Sequence, residues 1–172
     1  MNPFAVFDER PIVVALAGPN GAGKTTFYHA HLAAAGLRFI NADVLALELA
    51  INATEAMATA NALRHALVMR RESFVFETVF SDPVGDKLSF LADIASQGYT
   101  VVLCYIGIAS AEQSDERVAM RVTQGGHDVP QLPHVLVFDN SDLGRPFRLV
   151  AVFERGQRTT QADPVPDWLE LR

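Results

Sequence analysis

A chain of 172 residues has the size of one domain with a single substantial core, and its 49% apolar and 20% charged residues are the balance of an ordinary globular protein. The net charge of −6, without any run of Lys or Arg, argues against a nucleic-acid-binding surface, because phosphate backbones select basic patches. The apolar runs are too short to span a bilayer, "MNPFAVFDERP" lacks the pattern of a signal peptide, and the single Cys104 suits a reducing cytoplasm, so a cytoplasmic protein without a membrane segment is expected.

Short β-branched runs alternate with longer helical patterns, the mark of a parallel sheet with crossover helices. "IVVALAG" (12–18) reads as the first strand and "TTFYHAHLAAAG" as a helix stopped by Gly36. "RFINAD" (38–43) reads as a second strand ending in polar residues. Residues 54–71 read as a long helix, with Met57, Ala60, Leu63, Leu67 and Val68 recurring at helical spacing. "SFVFETVF" (73–80) is a third strand, followed by a helix that Asp82 caps and Gly98 stops. "TVVLCYIGI" (100–108) is nearly all apolar, as a strand covered on both faces should be, and Cys104 within it reads as a small buried hydrophobe. A helix beginning near Ser110 and a fifth strand "HVLVFDNS" (134–141) follow. "FRLVAVFERGQR" adds an antiparallel edge strand, and Trp168 and Leu169 pack the Pro-broken tail back onto the domain. The expected fold is a single α/β domain, residues 1–172, built as the three-layer sandwich of phosphate-loop nucleoside triphosphatases around a five-stranded, mainly parallel sheet.

Gly18, Gly23, Lys24 and Thr25 fill every fixed position of the pattern G-x-x-x-x-G-K-[ST], between a strand and a helix. In such a loop small residues let the backbone curl until several N–H groups face a phosphate. Gly18, Pro19, Asn20, Gly21, Ala22, Gly23, Lys24, Thr25 and Thr26 are therefore the expected ATP-binding residues. Lys24 bridges the β- and γ-phosphates, and the Thr25 hydroxyl is a ligand for Mg²⁺.

The remaining carboxylates narrow the reaction. No Asn-Lys-x-Asp base-reading motif of a GTP switch is present, and the apolar fourth strand ends without an acid. What remains is a kinase, with Asp43 facing the γ-phosphate and taking the proton of an acceptor hydroxyl. Asp43 also fits a helix cap for "VLALELA", and the two roles are compatible. Glu77, with Thr78 at the end of the third strand, fits a magnesium or acceptor contact and equally a structural ion pair. Arg117 and Arg121, four apart on one helical face, can supply positive charge to a transferring phosphoryl group or lie on a solvated face beside Asp115 and Glu116.

From about residue 12 to 141 the chain resembles the zeta-toxin family of phosphate-loop kinases, in its short bacterial branch. "AGPNGAGKTTF", "FINADVLA", "RRESFVFETVFS", "ERVAMRVTQGGHDVP" and "VFDNS" carry the likeness. The resemblance implies an ATP- and Mg²⁺-dependent kinase of a sugar hydroxyl on UDP-N-acetylglucosamine or a related UDP-sugar, held in check by an antitoxin protein. It implies Asp43 as general base, Asn41, Asp43, Glu77 and Thr78 as acceptor contacts, Arg121 (with Arg117) at the γ-phosphate, and Asn140 near the nucleotide base. After "GGHDVP" the family pattern calls for an Arg-rich helix, whereas this chain runs from Pro130 through "QLPH" into the last strand. That departure keeps two alternatives open: a kinase of another small hydroxyl compound, and an ATP-binding module with little turnover.

Overall fold

Six consecutive apolar residues, Ile12–Ala17, are fully buried and form β1, the middle one of five parallel strands in a computed structural model that describes residues 3–78, 86–109 and 132–169. The strands are β1, β2 (Arg38–Ile40), β3 (Phe74–Thr78), β4 (Thr100–Gly107), β5 (His134–Asp139), β6 (Arg148–Glu154) and β7 (Gln157–Gln161). They lie in one sheet in the order β2-β3-β1-β4-β5-β6-β7. The first five are mutually parallel, and β6 and β7 add to the β5 edge in antiparallel register.

The sheet thus has seven strands, where five and one added edge strand were expected. The extra strand comes from a two-residue turn: Glu154 pairs with Gln157, and Arg155 and Gly156 between them have φ of 49° and 77°. Two successive left-handed residues make the turn whose twist suits a hairpin. The sequence hid β7 because "QRTTQ" is polar and exposed throughout, with no alternation to read.

Alternate side chains of β1 enter two separate cores, which makes the fold three-layered. Val13, Ala15 and Ala17 pack with α3 (Ala53–Met69) and α4 (Asp86–Ser96) through Ala60, Leu67, Val68, Leu91 and Ile94. Val14 and Leu16 pack on the other face with Phe7, Phe27 and Leu32. Phe27 ends α1 (Lys24–Phe27), which continues through a π turn and a 3₁₀ turn to Gly36. The helix expected over residues 54–71 is α3, opened by a reciprocal capping box between Asn52 and Glu55. Its buried stripe is Ala56, Ala60, Leu67 and Val68, while Met57 and Leu63, expected in it, are exposed. Of these buried residues, Ala60, Leu67 and Val68 belong to the core cluster that covers one face of the sheet.

A further correction concerns the second strand. It stops at Ile40, and α2 (Ala42–Leu49) begins at once. The Asn41 side-chain oxygen accepts hydrogen bonds from the N–H groups of Asp43 (2.8 Å) and Val44 (3.3 Å), so Asn41 is the cap and Asp43 lies in the first helical turn. The cap expected at Asp82 and the helix near Ser110 fall outside the described residues. Cys104 is fully buried in β4, and burial pushes its thiol well above the ordinary range, as befits a packing residue.

Trp168 and Leu169 fold the tail back against the sheet, as expected. The indole N–H of Trp168 donates to Asp139 at 2.9 Å, and a β-carbon at Gly107 would come within 2.3 Å of the Trp168 ring. Arg148 lies 3.6 Å from Asp139 and donates to the Pro164 carbonyl. Burial alone would raise the Asp139 pKa, but hydrogen bonds from Ser141 and Trp168 and the Arg148 charge together hold it below its ordinary 3.8. A carboxyl with a depressed folded-state pKa stabilises fully above its unfolded value and loses that contribution as pH falls through the folded one. Acid titration of the emission of Trp168, the single tryptophan, should therefore show a transition with its midpoint below 3.8. Asp139→Asn should shift the emission already at neutral pH; an unchanged acid profile in that variant would remove Asp139 from the clasp.

Candidate functional site

The phosphate-loop motif occupies the turn between β1 and α1, and its glycines are dictated by space as well as by torsion. Gly18 has φ of +145°, and a β-carbon there would lie 2.2 Å from the Ile106 carbonyl oxygen of β4. Gly23 has φ of +90°, and a β-carbon would meet the Asn140 amide nitrogen at 2.8 Å. Both conditions exclude a side chain. Between them, the loop closes through a hydrogen bond from the Ala22 N–H to the Pro19 carbonyl at 3.2 Å. Pro19 and Ala22 are buried, whereas Asn20, Gly21, Thr25 and Thr26 are exposed.

Lys24 is 5% exposed, and its ammonium donates to the carbonyls of Gly18 and Pro19, each at 3.0 Å. The same nitrogen lies 3.7 Å from a Glu77 carboxylate oxygen. Glu77 comes from β3, where it sits in register with Leu16 of β1, just before the loop. It accepts hydrogen bonds from the Thr25 hydroxyl at 2.8 Å and from the Asn41 amide at 3.0 Å. Thr25 and Glu77 thus bring a hydroxyl and a carboxylate together at the head of α1, an oxygen-donor pair of the kind a hard cation such as Mg²⁺ selects. Among the described residues no group of three or more His, Cys, Asp or Glu side chains could hold a metal.

A cleft of about 160 Å³ opens beside the loop, lined by Asn20 and Lys24, by Asn41, Ala42 and Asp43, by Glu77 and Thr78, and by Met57, Ala60, Arg64 and Lys87. Of the residues singled out in the sequence, Lys24, Asn41, Asp43, Glu77 and Thr78 share this cleft. Asp43 is exposed on it, while Asn41 uses both ends of its amide within the protein, capping α2 and holding Glu77. Arg117 and Arg121 fall outside the described residues. Asn140 supports the loop from β5: its amide N–H donates to the Ala22 carbonyl at 2.9 Å and its oxygen accepts from the Phe147 N–H. Sequence reasoning missed Arg64 and Lys87. The available signal was the spacing of Met57, Ala60 and Arg64, three and then four residues apart, which aligns them along one side of α3.

Similarity to known proteins agrees with this geometry. No functionally curated protein matches the chain in sequence. Among solved structures it resembles a chain of the AvrRxo1-ORF1:ORF2 complex with ATP, at a TM-score of 0.63 and 19% identity over 91% of this chain. It spans only 62% of that longer chain. A chain of the PezAT chromosomal toxin–antitoxin system of Streptococcus pneumoniae is similar at a TM-score of 0.59 and 16% identity, with 90% of this chain and 75% of that one covered. A candidate kinase of Chloroflexus aurantiacus follows at 0.53 and 15% identity, over 80% of this chain and 92% of its own. These likenesses show the fold, a phosphate-loop α/β sandwich around a mainly parallel sheet. The profile of the AAA domain matches residues 13–134, from β1 through the loop and cleft to the start of β5, so the chain belongs to the AAA domain family.

Proposed function

We propose that this protein is an ATP-dependent kinase that phosphorylates a hydroxyl of a small molecule, with UDP-N-acetylglucosamine or a related UDP-sugar as acceptor and Mg²⁺ as cofactor. The observation that carries the reading is the sharing of one cleft by the phosphate-loop Lys24, the Thr25-bonded carboxylate of Glu77 and the exposed carboxylate of Asp43. A binding module needs only the first of these. Transfer needs a proton acceptor beside the γ-phosphate as well, and Asp43 is the exposed carboxylate available for it.

In this scheme the loop from Gly18 to Thr26 holds the phosphates, and Lys24 exchanges its contacts with the Gly18 and Pro19 carbonyls for phosphate oxygens. Thr25 and Glu77 would hold Mg²⁺, which supplies neutralisation of charge on the phosphates. Asp43 takes the proton of the acceptor hydroxyl as that oxygen bonds to the γ-phosphorus; the bond to the β–γ bridging oxygen breaks and ADP leaves. Arg121, with Arg117 beside it, is assigned to the transferring oxygens, Asn41, Glu77 and Thr78 to the acceptor, and Asn140 to the side of the loop nearest the base. The zeta-toxin resemblance and the PezAT likeness support an antitoxin protein as partner. The direct step from Pro130 to "QLPH" favours the second reading, an ATP-binding module with little turnover, which differs in one measurable respect: ATP binds and no acceptor is phosphorylated.

Incubation with γ-labelled ATP, Mg²⁺ and UDP-N-acetylglucosamine should give a labelled sugar nucleotide. Intact ATP binding without labelling of this or any other hydroxyl acceptor would leave only the second reading. Asp43→Asn should lower transfer by about 10²- to 10⁴-fold with ATP affinity unchanged, measured by calorimetry. Lys24→Ala should instead weaken ATP binding, by about tenfold or more, since it removes charge-assisted hydrogen bonds. A Lys24 variant with wild-type affinity for ATP would contradict the assignment of the loop.

A further inference from the structure

Part of the cleft lining has no role in the transfer scheme: Met57, Ala60 and Arg64 of α3 and Lys87 of α4. The guanidinium carbon of Arg64 lies 4.6 Å from the centroid of the Phe76 ring and 5.6 Å from that of Phe90. Aromatic faces on this scale fix an arginine fork in place and satisfy part of its charge. Its hydrogen-bond partner among the described residues is the Asn61 side-chain oxygen on the same helix, and no described carboxylate forms an ion pair with it. Desolvation disfavours its charge, yet a guanidinium stays protonated in proteins. A half-buried cation on a cleft wall, held by rings rather than by a carboxylate, gains most from an anion entering that cleft. Lys87 supplies a second cation from the neighbouring helix.

We propose that Arg64 and Lys87 form an anion subsite of the acceptor pocket, so that the acceptor is recognised by a phosphate or diphosphate group as well as by its hydroxyl. This rests on the reading of the cleft as the acceptor site. It adds the residues that select a phosphate-bearing acceptor over a neutral one.

The test separates binding from transfer. The phosphate loop is first saturated with Mg²⁺ and a non-hydrolysable ATP analogue, so that added phosphates cannot enter it. Calorimetry then compares UDP-N-acetylglucosamine and inorganic pyrophosphate with free N-acetylglucosamine. Wild-type protein should bind the first two and not the third. Arg64→Met, which keeps an apolar stem over the rings, should weaken binding by about tenfold or more, and Arg64→Lys should restore part of it. Lys87→Met provides an independent variant should Arg64→Met melt at a lower temperature or fail to fold. Equal affinity in the Arg64 and Lys87 variants, binding of the neutral sugar as tight as that of its UDP form, or no binding of either phosphate compound would overturn the subsite. Labelled transfer with an unchanged KM in Arg64→Met would overturn it while leaving the kinase standing. Arg64-dependent binding without transfer would do the reverse.

Discussion

The carboxylate of Glu77 on β3 joins two stretches of chain that are far from it in sequence: the phosphate loop and head of α1 through Lys24 and Thr25, and the start of α2 through Asn41. A carboxylate only 16% exposed at the end of a parallel strand is costly unless its lone pairs are used, and here both neutral donors and a cation use them. The arrangement has a consequence for the site. Because Asn41 spends its nitrogen on Glu77 and its oxygen on the N–H groups of α2, the orientation of the helix that carries Asp43 depends on the position of Glu77. The proposed base and the proposed metal ligand are thereby placed by one side chain between them.

The loop itself is held from the opposite side by the β4 and β5 edge. Gly18 lies against the backbone of Ile106, and Asn140 reaches from the end of β5 to the Ala22 carbonyl. Asn140 follows Asp139, which receives the Trp168 indole and the Arg148 charge, so the tail clasp and the loop support occupy adjacent residues. Phe147, whose N–H bonds Asn140, also packs on Phe27 at 5.3 Å between ring centroids. A loop that must present backbone N–H groups to a phosphate gains from such rigidity, since less ordering is left for the moment of binding.

The parts of this design legible in the sequence were those whose physics is local. The phosphate loop needs its glycines at fixed offsets, and the central strands are apolar throughout because both faces are covered, so both could be read directly. Where two local readings were equally good, only tertiary structure decided. "FINAD" could continue a strand or cap a helix, and the presence of Glu77 beside Asn41 selects the cap. β7 carries no apolar pattern because its strand partner, not burial, holds it. On α3 small side chains carry the burial: Ala56 and Ala60 are buried, while the larger Met57 is exposed and lines the cleft. The spacing of Arg64 places it on the side of α3 that carries Met57 and Ala60, but nothing in "NALRHAL" shows that the Phe76 and Phe90 rings hold it.

Charge bears on the proposed pair of anionic substrates. The chain as a whole carries −6, yet its cleft gathers Lys24, Arg64 and Lys87 against Asp43 and Glu77. A negative molecule that must admit negative substrates needs its cations concentrated where they are wanted and screened from one another elsewhere. At physiological ionic strength the field of the outer surface dies away over about 8 Å, so an approaching nucleotide is governed by the cleft once it is near. Within the cleft Glu77 is engaged by Lys24, Thr25 and Asn41, whereas Arg64 rests on the Phe76 and Phe90 rings. Under the proposed scheme, that division suits an acceptor that is neutral at its hydroxyl and carries its negative charge elsewhere.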